Sequence, residues 1–284
     1  MEKKWDAIVL SRPESVEFLR PLIERHPHRP SIKLIGQAGN EGQFYDWGFI
    51  PNFLSSDYLS YSVAPSGINK IHYMQEVGRQ FQPDVFTPVT EDDLRTVNTF
   101  INCLDSFGDW TWNREFPHWS GRCPHCDGSS SGSFERVSPN SIWHNMKAHL
   151  PDHRFMDYGI NNSCGSIQEK SLPKTILSGS LTWAFKTYEG MGHSIAQSIS
   201  MGRVCLVPRR FHRYRTANQF LISNLTCLEA EWKAEDCIRV IRDFTSGGVN
   251  RINDFSEGCF NAAKGLFNWG HEADRVKEFL EKLR

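Results

Sequence analysis

The chain has 284 residues, room for about two domains of ordinary size. Its 39% apolar and 23% charged residues suit a chain that buries a core, and they exclude disordered and collagen-like polymers. Thirty-two Lys and Arg against 33 Asp and Glu leave a net charge of −1, so no global field holds it on DNA or an anionic membrane, and electrostatic recognition must be local.

At the amino end the only apolar run, Ala7 to Leu10, is broken by Ser11-Arg12-Pro13 and is far too short for a signal segment. No later run approaches the ~18 apolar residues of a membrane span, so the chain reads as cytoplasmic. The sequons at Asn161 and Asn224 are then chance matches. The eight cysteines (103, 123, 126, 164, 205, 227, 237 and 259) are scattered and read as free thiols, several of them in the core.

The first forty residues predict β-α-β. Trp5 to Leu10 is a buried strand, Ser11-Arg12-Pro13-Glu14 opens a helix as a capping box, and Ser31 to Ile35 is a second strand. Val16, Leu19, Leu22 and Ile23 share the helix face that would pack on a sheet. The Gly-rich stretch Gly36 to Gly42 follows at a strand's carboxyl end, where open parallel sheets place ligands, although its glycines also suit a plain tight turn. Short β-like runs recur at Tyr58 to Val63, Lys70 to Gln75 and Thr96 to Cys103. A Trp-, Gly-, Ser- and Pro-rich stretch then reads as a linker, with a boundary near residue 135.

That boundary divides the chain into an N-terminal domain over 1–135 and a C-terminal domain over 136–284, both α/β and Rossmann-like. In the second, Ser141 to Leu150 predicts a helix, Arg154 to Gly159 a strand, and Lys174 to Phe185 a further buried segment. The last eleven residues predict an amphipathic helix with Val276, Phe279, Leu280 and Leu283 inward, placed to brace the N-terminal domain.

The most informative run is LTWAFKTYEGMGHSIAQSISMGRVCLVP, Leu181 to Pro208. It reads as an apolar strand ending near Lys186, a turn with Gly190 and Gly192, a helix from His193 to Met201 stopped by Gly202, and a strand at Val204 to Val207. Glycines permit close backbone approach, a helix N-terminus offers N–H groups, and Lys186 adds a full charge. Together these suit an anion such as a pyrophosphate.

In this run Glu189-Gly190-Met191-Gly192-His193-Ser194-Ile195-Ala196-Gln197, followed by Gly202 and a strand, resembles the Glu-x7-Glu element in the C-terminal half of GT-B glycosyltransferases. The second acid is replaced by Gln197, and the resemblance extends to Phe244. It implies two Rossmann-like domains facing across a cleft, an α/β GT-B fold. The implied activity is a metal-independent, retaining hexosyl- or pentosyltransferase, with a nucleoside-diphosphate sugar as co-substrate and no resident cofactor. By the same resemblance Glu189 lies by the donor sugar. Gly190, Met191, Gly192, His193 and Ser194 line the diphosphate, Gln197 faces the ribose, and Lys186 neutralises the leaving nucleotide.

On the acceptor side the candidates are Asn40 in the Gly-rich stretch and His72 and Glu76 in KIHYMQEV, with His72 able to accept a proton near neutral pH. A histidine in such a stretch is also a common satisfied core or surface residue. Arg209, Arg210 and Arg213, within RRFHRYR, suit a phosphorylated or nucleic-acid acceptor, or equally a solvated loop whose arginines are paired to acids. The acceptor class, whether glycan, small molecule or nucleic acid, stays open. Cys123 and Cys126 form a CPHC pair without a second paired motif, so no metal site is assigned; zinc there would pin a loop. The competing readings are a nucleic-acid-binding protein using Arg209 to Arg215 with that zinc-pinned loop, a glycosyltransferase acting on a nucleic-acid base, and a sugar-nucleotide epimerase.

Overall fold

A computed structural model describes residues 6–10, 13–38, 50–55, 69–74, 76–101, 139–159, 162–185, 192–209 and 216–283. They fall into two compact units. One holds the described residues of Met1–Glu76 together with Asn268–Arg284, the other those from Val77 to Phe267.

In the first unit β1 (Ala7–Leu10), α1 (Pro13–Glu24), β2 (Lys33–Ala38), β3 (Asn52–Ser55) and β4 (Asn69–His72) follow one another. The four strands form one parallel sheet in the order β1-β2-β3-β4. Leu19 and Ile23 of α1 pack with Leu10, Ile32, Leu34, Ile50 and Phe53, the apolar stripe expected of a crossover helix. Leu22, predicted inward, is 61% exposed, as is Phe18 at 74%, because the helix meets the sheet along a narrower stripe than the sequence pattern suggests. Gly36, read as the start of a loop, is a strand residue in register with Phe53. A Cβ at that glycine would run into the Phe53 ring, so the absent side chain is a packing requirement. Asn52 crosses the sheet by donating from Nδ2 to the Leu34 carbonyl at 3.0 Å and accepting from Asn69 Nδ2 at 3.2 Å.

The second unit contains β5 (Thr96–Thr99), α2 (Pro139–His149), β6 (Arg154–Asp157), α3 (Leu172–Leu177), β7 (Leu181–Trp183), α4 (His193–Ser200), β8 (Val204–Pro208), β9 (Cys227–Ala230), α5 (Ala234–Thr245) and α6 (Gly248–Leu266). Its sheet is parallel throughout, in the order β6-β5-β7-β8-β9. Every residue of β5, β7 and β8 is buried, as covered parallel strands require. The segment read as one buried run from Lys174 to Phe185 splits into α3 and β7. The division between units lies at Glu76/Val77, not near residue 135, because β5 takes its hydrogen-bond partners, β6 and β7, from the second sheet. The predicted strand at 58–63 and the linker lie outside the described residues.

Aromatic rings fill the second core. Trp143 meets Phe155 edge-on at 5.1 Å and Trp183 at 5.2 Å, Trp183 stacks on Phe185 at 5.0 Å, and Phe185 meets Trp232 at 5.3 Å. Arg203, 1% exposed, donates to the carbonyls of Thr87 at 3.0 Å and Leu177 at 3.2 Å. Burial lowers its pKa to about 10, so the guanidinium remains charged at neutral pH and clamps the approach to β5 onto the end of α3.

The final helix, α7 (Trp269–Lys282), belongs to the first unit. Val276 and Phe279, with Leu283 just beyond, pack on Ile35, Leu54, Ile71 and Tyr73. Leu280, predicted inward, is 38% exposed, since it lies one residue round from that stripe. Glu272, 7% exposed, accepts the Met74 N–H at 2.9 Å and Arg275 Nη1 at 2.9 and 3.0 Å. The variant Glu272→Ala strands the Met74 N–H and is expected to lose about 2 kcal/mol in urea unfolding, whereas Leu280→Ser should change stability by about 0.5 kcal/mol or less. Equal costs would refute the anchor.

The described cysteines 164, 205, 227, 237 and 259 are free thiols. Burial pushes Cys237 up to about 12 from an ordinary 9.0. Between those values the unfolded chain has released the proton that the folded chain keeps, so stability falls as pH rises. Cys237→Ala is expected to flatten that fall by up to about 1.4 kcal/mol per pH unit between pH 9 and 11. Urea midpoints across that range measure it, and unchanged slopes would show that the folded thiol titrates normally.

Candidate functional site

Because the second sheet is parallel, its strands end on one edge at Thr99, Asp157, Trp183, Pro208 and Ala230. The chain leaves β5 for β6 on one side, then returns past β5 to build β7, β8 and β9 on the other. Connections therefore diverge between β5 and β7, the kind of switch point beyond whose strand ends open α/β sheets bind their ligands. The helix that follows β7 is α4, so its N-terminus faces this switch point.

Gly192 caps α4 at φ 72° and ψ 71°, a left-handed conformation that costs glycine little and other residues more. Gly192 itself brings no capping side chain, and the first turn of α4 carries the positive end of the helix dipole. Ile195, Ala196, Ser198, Ile199 and Ser200 face the core. His193 is exposed, and Ser194 and Gln197 are half-buried. The structure thus brings together Gly192, His193, Ser194 and Gln197, four of the residues assigned to the donor.

Several bonds hold this helix. Thr182 Oγ1 donates to Ser198 Oγ at 2.9 Å, and Ser198 Oγ donates to the Ser194 carbonyl at 2.8 Å. The thiols of Cys205 and Cys259 donate to the carbonyls of Ile195 at 3.8 Å and Ile199 at 3.7 Å. At the far end Gly202, at φ +73°, donates to Ile199 and Arg203 donates to Ser198, the paired bonds of a Schellman close. A Cβ on Gly202 would meet the Ser256 carbonyl at 2.8 Å, so both conformation and space select glycine there.

Lys186, Glu189, Gly190, Met191, Asn40, Arg210 and Arg213 lie outside the described residues, as do Cys123 and Cys126. His72 is the last residue of β4, opposite Ser55, and Glu76 is exposed just beyond it; both belong to the first unit. Arg209 follows β8 directly and pairs with Glu231 at 3.1 Å, both about half exposed. The solvated-pair alternative therefore holds for this one arginine, and such a pair contributes little stability.

Two features of the same edge escaped the sequence reading. Asp157, 8% exposed, accepts the Ser163 N–H at 3.1 Å, the Ser163 hydroxyl, and the Cys164 thiol at 3.9 Å, closing the turn after β6. Phe100 and Tyr158, the first residues past β5 and β6, stack at 5.6 Å with 13° between their rings. Burial raises the Tyr158 phenol above its ordinary value. The only sequence signal was an acid and aromatics placed just after short strands. Among the described residues no three His, Cys, Asp or Glu side chains could hold a metal ion, and no helix is long and apolar enough to cross a membrane.

No protein-family profile matches the chain, and no curated protein matches it in sequence. Solved structures do. TarM, also known from S. aureus with UDP bound, superposes with a TM-score of 0.62 at 10% identity over 96% of this chain and 54% of TarM. Anabaena HepE with UDP and glucose gives 0.62 at 10% identity over 98% of this chain and 78% of HepE. Sucrose-phosphate synthase from Thermosynechococcus elongatus gives 0.62 at 12% over 98% and 74%. The chain thus spans about half the length of TarM and about three quarters of the other two. At such identities the likeness establishes architecture: two parallel α/β units in the GT-B fold of these glycosyltransferases.

Proposed function

We propose that the protein is a glycosyltransferase that takes a sugar from a nucleoside-diphosphate donor without a metal ion and with retention of configuration. The observation that carries this reading is the glycine-led N-terminus of α4 at the switch point of the second sheet. The fold is shared with HepE, whose structures hold UDP and UDP-glucose.

In the proposed reaction the bond between the anomeric carbon and the β-phosphate oxygen breaks, its electron pair passing to the phosphate. On this reading the N–H groups of His193 and Ser194, the dipole of α4 and the Lys186 ammonium receive the growing charge, which is the preferred use of fixed dipoles in catalysis. Gly190, Met191 and Gly192 complete the diphosphate cradle. Glu189 lies by the sugar as it passes through an oxocarbenium-like state. Gln197, one turn along α4 from His193, offers an amide donor and acceptor to ribose hydroxyls.

The acceptor oxygen then bonds to the anomeric carbon. In a same-face displacement its proton goes to the departing phosphate oxygen, and no protein base is needed. His72 at the end of β4 is the base if the enzyme inverts. Asn40, Glu76, Arg209, Arg210 and Arg213 are the acceptor-side candidates, with Arg209 the weakest because Glu231 already holds it.

Melting temperature measured with UDP, GDP, ADP, TDP and CMP, each with and without EDTA, is expected to rise for one diphosphate regardless of EDTA, because a ligand of the native state stabilises by mass action. No nucleotide shift combined with melting lowered by EDTA would favour the zinc-pinned nucleic-acid-binding alternative. With the donor identified, Lys186→Ala and Glu189→Ala should each cut transfer by about 10²- to 10³-fold while melting stays within a few degrees. Normal turnover in both variants would refute these site assignments.

A further inference from the structure

We infer that Thr182 and Ser198 are positioning residues for the donor site, their two hydroxyls forming a buried strut between β7 and the first turn of α4. This rests on the donor reading above. Thr182 is 2% exposed and Ser198 0%. Thr182 Oγ1 donates to Ser198 Oγ at 2.9 Å, and Ser198 Oγ passes its own hydrogen to the Ser194 carbonyl at 2.8 Å. Thr182 stands in the strand that leads into the donor segment, and Ser194 is the second residue of the helix that leaves it. The strut therefore ties the two ends of the stretch containing Lys186, Glu189, Gly190 and Gly192.

Filling space in the core requires neither hydroxyl. A valine would fill the Thr182 position in a buried strand, and an alanine would suit the interior of α4. What both substitutions lose is direction. Dispersion packing lets a helix slide or rotate slightly on a sheet, whereas a hydrogen bond weakens steeply away from its preferred distance and angle. Fixed dipoles aid charge transfer only when they are held in place before the reaction. The strut is directed at the first-turn carbonyl of Ser194, next to the N–H groups that would meet the diphosphate. The thiol bonds of Cys205 and Cys259 reach the carbonyls of Ile195 and Ile199 at longer range and through a weak donor.

The test compares Thr182→Val and Thr182→Ser with Ser180→Ala. The control removes another buried hydroxyl just before β7, one that donates to the Leu94 carbonyl at 2.7 Å. Two quantities are read: hydrogen exchange of the segment 186–201, and calorimetric affinity for UDP, GDP and ADP. Thr182→Val is expected to speed exchange in 186–201 and to weaken the bound nucleotide roughly three- to tenfold, the worth of about one hydrogen bond. Thr182→Ser should restore both, and Ser180→Ala should leave both unchanged. Unchanged exchange in Thr182→Val, or equal weakening by Ser180→Ala, overturns the inference while the donor reading stands. If exchange changes but wild-type protein binds neither these three nucleotides nor TDP, the donor reading falls and the positioning role falls with it.

Discussion

The constraint on which the second unit depends is parallel pairing around a reversal of direction. Parallel strands need crossover connections, so each strand of the sheet hands its chain to the same edge. Only between β5 and β7 do those crossovers leave in opposite directions. A helix starting after β7 has its N-terminus, the positive end of its dipole, at that place. The anion-binding potential of α4 is thus a consequence of strand order, and the glycine at its start supplies the backbone conformation that the entry requires.

Glycine at the helix start forgoes the stabilisation that a capping side chain there would add, about a few tenths of a kcal/mol. The second unit offsets this elsewhere along α4. One face is fully buried, the far end closes through Gly202 and Arg203, and the carbonyls of Ser194, Ile195 and Ile199 each receive a hydrogen from a buried hydroxyl or thiol. All of these attachments act on the core side or the carboxyl end.

What the sequence revealed follows the range of the interactions involved. Within the run from Leu181 to Pro208 the strand, helix, glycine stop and second strand were legible because each feature is local: a glycine conformation, a helical apolar stripe and a β-branched strand. Arg203 and Glu272 were not legible, because their partners lie 26 to 116 and 198 residues away. β9, α5 and α6 went unread where polar positions are mixed with the apolar ones. Leu22 and Leu280 were assigned to buried faces by periodicity alone, yet periodicity reports the centre of an apolar stripe better than its width. The boundary near 135 was inferred from composition, whereas β5, forty residues earlier in the chain, already pairs with the second sheet. At the site the helix-borne residues were readable, but the Thr182–Ser198–Ser194 chain was not, since a threonine in a strand and a serine in a helix carry no mark of pointing at each other.

The long range of the Glu272 contact also bears on how the first unit is completed. One face of its sheet is covered by α1, which arrives directly after β1, so that half of the core is local. The other face, with Ile35, Leu54, Ile71 and Tyr73, is covered by α7, which the chain reaches only after the whole second unit. Until then these side chains have no cover from α7, and the Met74 N–H lacks the carboxylate that accepts it. Contacts of such separation carry a loop-closure cost that is reduced only when the intervening chain has folded. Ordering of Val77 to Phe267, whose ends meet where Gln82 donates to the Phe267 carbonyl at 3.0 Å, therefore shortens the effective loop that brings α7 to the sheet, and Glu272 fixes the register in which Val276, Phe279 and Leu283 meet it.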